Sequence, residues 1–217
     1  MRSPRSLKRR APVRAPKRKF IIFSEGKNTE PDYFRAVRTE LLGALLDLEI
    51  IDAAGVPLTI AEKAAVRSRE LSRRGSRRSS FEEQDVIWAV FDRDEHPNVP
   101  QALDVCKATK VKVAFSDPCF ELWLILHERD FDAPDGRHQV QAELAKTLKD
   151  YDPKGRKTTD CKRLMAKVNE AELRAEKQLA RRQQEGEPPN RPFTTVFLLT
   201  REMRAAHEAY KAMIDEQ

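Results

Sequence analysis

Three carboxylates stand where they could do chemistry together. Glu25 follows the apolar run Phe20-Ile21-Ile22-Phe23 and opens the polar turn Glu25-Gly26-Lys27-Asn28-Thr29. Asp92 and Asp94 follow the apolar run DVIWAVF (residues 85–91) in the loop Asp92-Arg93-Asp94-Glu95-His96-Pro97. Hard divalent cations want oxygen ligands, and magnesium is commonly held by one or two carboxylates, with water and substrate phosphates completing the shell. An Asp-x-Asp pair can direct both side chains to one ion, while a Glu from a neighbouring strand closes the site or shares a second ion. Two ions ~3.5–4 Å apart could activate a water and stabilise the leaving oxygen of a phosphodiester. Gly26 allows a tight turn and close approach of a phosphate, and a helix opening near Glu30 would aim its N-terminus at the same edge, which suits an anion. A solvated turn or a helix cap is the competing reading of Asp-x-Asp.

The elements that must bring these loops together read as alternating strands and helices. Strands are expected at Lys19–Ser24, Leu48–Asp52, Asp85–Phe91 and Val111–Phe115, from short β-branched and aromatic runs. Helices are expected at about Glu30–Leu46, Thr59–Leu71 (from a Thr59/Glu62 capping box), a short one near Pro100 capped by Asn98, and one opening at Ser116-Asp117-Pro118. Further helices are expected at His138–Lys149, at Asp160–Gln184, which is highly charged and reads as solvent-facing or interfacial, and at Thr195–Ile214. Such alternation predicts a small parallel α/β sheet built from right-handed crossovers, with the core sheet in about 19–130 and a helical C-terminal addition in about 131–217. In these sheets ligands bind beyond the carboxyl ends of the strands, where Glu25, Asp92 and Asp94 fall. Trp88 and Trp123 lie in the strand and helix patterns as core residues.

Composition narrows the setting. The 217 residues suffice for one well-cored domain, and no apolar run is long enough to span a bilayer. The basic N-terminus lacks a following apolar segment of signal-peptide type, and Cys106, Cys119 and Cys161 are odd in number and widely spaced, so a reducing cytoplasm is expected. Residues 1–19 carry nine Lys and Arg and no acid; taking these from the net charge of +6 leaves −3 for the remainder. The first 18 residues, with Pro4, Pro12 and Pro16, read as a disordered basic arm that contacts a polyanion or serves as a solubilising tail. Lys27 and the cluster Arg73, Arg74, Arg77 and Arg78 are candidates for contact with a nucleic-acid backbone, or a solvated basic face. A homo-oligomer stays open.

Several blocks resemble a known family. IIFSEGKNTEPDYF (21–34), VFDRDEH (90–96), SDPCFELWLILH (116–127), YDPK (151–154) and NRPFTT (190–195) resemble, in order, segments of Toprim-like proteins, and within that group the RloB family. The last block departs from the family's Asn-Pro-Ser-Thr form by an inserted Arg and a Phe. The resemblance covers roughly residues 19–217. It implies a Toprim-like, Rossmann-like fold and a magnesium- or manganese-dependent nuclease in bacterial anti-phage defence, working beside an AAA-type ATPase. It also implies that Glu25 is a general acid/base or metal ligand and that Asp92 and Asp94 are the metal pair. Glu121, His127 and Lys154 are added as site residues. On the residues themselves, a carboxylate such as Glu121 in an apolar helix must be paired or bind metal. His127 near a helix C-terminus can equally be a cap, His96 reads as a surface-loop residue, and Lys154 either stabilises phosphoryl charge or is simply exposed. A non-catalytic module that binds nucleic acid or docks on an ATPase is the alternative function; primase-like nucleotidyl transfer would use the same acids but has little room for a template-binding domain.

Overall fold

The first and third predicted strands carry contiguous apolar runs, FIIF and VIWAVF, rather than apolar residues at alternate positions, the pattern of a sheet covered on both faces. The computed structural model of the protein describes residues 18–41, 46–52, 55–73, 85–93, 96, 98–186 and 188–215, without the side chains of 46–52 and 213–214. Asp94, Arg74, Arg77, Arg78 and all of the basic arm but Arg18 lie outside the described residues. Strands β1 (Arg18–Ser24), β2 (Leu46–Asp52), β3 (Val86–Asp92) and β4 (Lys112–Asp117) are parallel, in the order β2-β1-β3-β4, and a short β5 (Phe193–Thr194) adds antiparallel to β4.

This order determines where the helices lie. The chain moves one way from β1 through α1 (Thr29–Glu40) to β2, then back across through α2 (Pro57–Arg73) to β3 and on through α3 (Val99–Ala108) to β4. Right-handed crossovers in opposite directions place α1 on one face and α2 and α3 on the other. The two cores agree. Phe20, Ile22, Trp88, Val90 and Ala114 pack with Tyr33, Phe34 and Val37 of α1, whereas Ile21, Phe23, Ile87, Ala89, Phe91 and Phe115 pack with Ile60, Ala61 and Ala64 of α2 and with Val99, Ala102 and Cys106 of α3.

The α1 face also buries α4 (Glu121–Glu128), whose Leu122, Trp123, Leu124, Ile125 and Leu126 are all enclosed. At roughly 1.5–3 kcal/mol for each buried large apolar side chain, this helix is a major part of the core. It is surrounded by α5 (Arg137–Thr147), a 3-10 segment (Cys161–Lys167) and α6 (Val168–Glu185), with α7 (Val196–Asp215) packed beyond.

Three sequence expectations need correction. Ser116 and Asp117 complete β4 instead of opening a helix: the Asp117–Pro118 bond is cis, and α4 starts at Glu121. Thr59 lies inside α2, which begins at Pro57, so it does not cap it. The charged helix is interfacial: α6 turns Val168, Ala171, Glu172, Ala175 and Gln178 inward at helical spacing and leaves its other face to solvent, and buried Glu172 is held by Thr200 Oγ1 (2.9 Å) and Arg204 (2.9 Å) of α7. Residues 131–217 are not a purely helical addition, since they supply β5 to the sheet and enclose α4.

Candidate active site

β1 and β3 are the neighbours at which the chain reverses direction across the sheet, and a crevice opens beyond the carboxyl ends of such strands. Glu25 leaves β1 here, its N–H donating to Val90 O of β3 (3.2 Å). Asp92 ends β3, and its N–H donates to Glu25 Oε2 (3.3 Å). The two acids that the sequence separates widely are therefore adjacent.

Two more carboxylates share the crevice. Glu30, in the first turn of α1, folds back over Gly26; a Cβ there would lie 1.8 Å from Glu30 Oε2, so any larger residue would make this carboxylate shift. Glu121 enters from the first turn of α4, where its Oε1 accepts from Tyr151 OH (2.7 Å) and Gln141 Nε2 (3.0 Å). Glu30, Asp92 and Glu121 are only 5 %, 3 % and 4 % exposed. Glu25, Glu30, Asp92 and Glu121 line one cleft of about 250 Å³ with Lys27, Arg137, Arg156 and Lys157.

The electrostatics follow from burial and crowding. Burial is the main cause that pushes Glu30 up from 4.5 to about 7; Glu121 and Glu25 add to it, while hydrogen bonds to the backbone of Glu30 and Gly26 oppose it. Asp92 is held well above the usual carboxylate range by burial, then by Glu30, Glu121 and Glu25, with Arg137 working against them. Arg137 stands 3.7 Å from Asp92 Oδ2. Arg137 and Gln141, four residues apart at the start of α5, share a helix face and reach Asp92 and Glu121 respectively.

The basic wall is tied down at both ends. Tyr151 anchors the loop 151–157 to Glu121, and Asn28 Nδ2 and Thr29 Oγ1 donate to the carbonyls of Arg156 (3.0 Å) and Lys157 (2.7 Å). Lys157 has φ of 54°, a conformation sparsely populated for non-glycine residues and sustained only where surroundings impose it.

These acids suit a hard cation in an open site. Mutual repulsion in a buried cleft is relieved by protons or by a divalent ion, and all four donors are oxygen. Among the described residues no three His, Cys, Asp or Glu side chains already converge as a metal cage; a site completed by water and phosphate oxygens needs none.

The predicted site residues divide. Glu25, Asp92, Glu121 and Lys27 line the cleft. Lys154 does not; it is exposed, and its neighbours Gly155, Arg156 and Lys157 form the wall instead. His127 is fully buried outside the cleft, with Nδ1 at 2.9 Å from Trp123 O and Nε2 at 3.1 Å from Tyr33 OH. Burial lowers it to about 4, so it is a neutral core residue at physiological pH. Arg73 is exposed at the end of α2 and does not line the cleft. His96 is nearer the chemistry than expected, its Nε2 lying 3.6 Å from Glu25 Oε1. Sequence reasoning missed Glu30, Arg137, Arg156 and Lys157. For Glu30 a signal existed in the glycine four residues earlier, but an acid in a first helical turn is ordinary.

A Rossmann-like α/β domain with an acidic cleft at the switch between its central strands is thus defined. Over residues 20–203 the chain matches the family model described as RloB-like protein, and it belongs to the RloB-like family. No curated protein and no solved structure matches it.

Proposed function

We propose that the protein is a magnesium- or manganese-dependent phosphodiesterase acting on DNA or RNA. The observation that carries this reading is the juxtaposition of four carboxylates in one cleft with a basic rim of Lys27, Arg137, Arg156 and Lys157. Acids alone would repel a polyanion; acids that gather cations, edged by lysine and arginine, suit its phosphates. Glu25 and Asp92, with Asp94 from the same loop, would hold the metal. Such an ion, when bound, supplies a more acidic water and neutralises phosphoryl charge.

The chain's own groups account for the remainder. Glu30, at about 7, is poised to take or give a proton near neutral pH. Arg137 faces the place where negative charge builds on phosphoryl oxygens. Tyr151 and Gln141 fix the orientation of Glu121, and Lys27, Arg156 and Lys157 hold neighbouring phosphates. Similarity to RloB-type proteins further supports an AAA-type ATPase partner and a role in bacterial anti-phage defence. The alternative is a module that binds nucleic acid or docks on an ATPase without cutting.

Incubating the protein with labelled DNA, RNA and tRNA plus manganese, beside Asp92→Ala/Asp94→Ala, separates the two. Cleavage by the wild type alone supports the enzyme. Equal, negligible turnover by both, with the ATPase added, leaves the module.

A further inference from the structure

Behind Arg137 lies a second cavity, of about 690 Å³, lined by His96, Pro118, Gly136, Arg137, His138, Gln139 and Arg191. That volume falls within the range of small-ligand pockets. Its described lining holds two guanidinium groups, two imidazoles and a side-chain amide, and no carboxylate. It meets the acidic cleft at two points: Arg137 lines both, and His96 reaches Glu25 on the cleft side.

The chamber is built on a rigid floor. Asp117, fully buried at the end of β4, pairs with Arg93 (2.9 Å to Oδ2) and with Arg191 Nε (3.2 Å to Oδ1). The carboxylate lies between the two guanidinium groups, of which Arg191 lines the chamber. Arg191 sits on the segment that β5 and Thr195 clamp to β4, the latter through Thr195 N–H to Phe115 O (2.8 Å). Its position is therefore imposed by the sheet.

We infer that this basic chamber is a phosphate subsite. It would hold the backbone phosphate and sugar adjoining the phosphodiester in the acidic cleft, with Arg137 between consecutive phosphates and Arg191, His138 and Gln139 gripping the outer one. Guanidinium forks match phosphate oxygens, and contacts of this kind position a strand without reading its sequence. The inference rests on the phosphodiesterase reading, and it makes the substrate a polynucleotide rather than a mononucleotide.

The test is binding of a fluorescein-labelled single strand of roughly a dozen nucleotides, as DNA and as RNA, by anisotropy in EDTA across a salt series. Arg191→Gln and, separately, His138→Ala, an exposed residue, are compared with the wild type and with Arg181→Gln, a cation outside both cavities that pairs with Asp132 (2.7 Å). Arg191→Gln should weaken binding roughly fivefold and lower the salt slope by about one phosphate's worth, with a smaller loss for His138→Ala and none for Arg181→Gln. Wild-type affinity and slope in both chamber variants, or no binding by the wild type at low salt, would overturn the subsite. Chamber-dependent binding by a wild type that cuts nothing with manganese and the ATPase added would instead defeat the phosphodiesterase reading and leave the subsite standing.

Discussion

Replacing Glu30 with glutamine should stabilise the metal-free protein at pH 8. Glutamine has the shape of the protonated acid, fits over Gly26 and carries no charge. At pH 8 the carboxylate of Glu30 is ionised whether the chain is folded or not, but the folded cleft disfavours that form, as the rise from 4.5 to about 7 records. At about 1.4 kcal/mol per pH unit the penalty is about 3 kcal/mol. The sign follows from proton binding. Between 4.5 and about 7 the folded state binds more protons than the unfolded one, so this residue's contribution is fully present below 4.5 and is lost as pH rises through about 7. His127 acts the other way in an overlapping window: lowered from 6.5 to about 4, it contributes above 6.5 and loses that contribution as pH falls towards 4. The wild-type profile mixes these with the raised Asp92, whereas the difference between variant and wild type reports Glu30 together with the relief of Asp92 beside it. Chemical denaturation in EDTA at several pH values gives that difference directly. It should be about 3 kcal/mol in favour of Glu30→Gln at pH 8, shrink through pH 7 and vanish near pH 4.5. In thermal melts a chain of this length should gain roughly 6–12 °C. A variant no more stable than wild type at pH 8 would refute the crowded-carboxylate account of the cleft.

Other consequences are as direct. Gly26→Ala forces Glu30 out of its place and should lower metal-dependent cleavage at least roughly tenfold, the loss expected when a positioned acid–base group is displaced, as read by initial rates on a labelled oligonucleotide. Tyr151→Phe removes a hydrogen bond to Glu121 and should cost about 1.5–3 kcal/mol, the range for a bond to a charged group, seen in urea melts with a parallel fall in manganese affinity. His127→Ala opens the core beside Tyr33 and Trp123 and should cost about 2–4 kcal/mol of stability, while the pH profile of cleavage by the folded fraction keeps its shape.

The fold was legible in the sequence because its strands are written in contiguous apolar runs such as KFIIF and VIWAVF, which need two covering layers. Asp92 was legible because it directly follows such a run, and Glu25 because it follows one after Ser24 alone. What escaped was set by tertiary packing. β5 is two residues long and exists only because Phe193 and Thr194 pair with the end of β4. Arg137 comes from a helix well beyond Asp92 in the chain, and only the packing of α5 on α4 brings it back. Glu30 was disguised as a routine first-turn acid until the turn at Gly26 folded it inward. His127 looked chemical because a histidine after Phe-Glu-Leu-Trp fits the family pattern, yet its hydrogen-bonding nitrogens are both engaged within the core.

The central claim is that acids from separate strands jointly hold a hard cation. Titrating the protein with manganese and following free ion by electron paramagnetic resonance tests it most directly. The wild type should remove manganese from solution, magnesium should compete, and Glu25→Gln and Asp92→Asn should each abolish uptake while remaining folded. Equal uptake by wild type and both variants, or no uptake by the wild type even with an oligonucleotide present, would contradict the account.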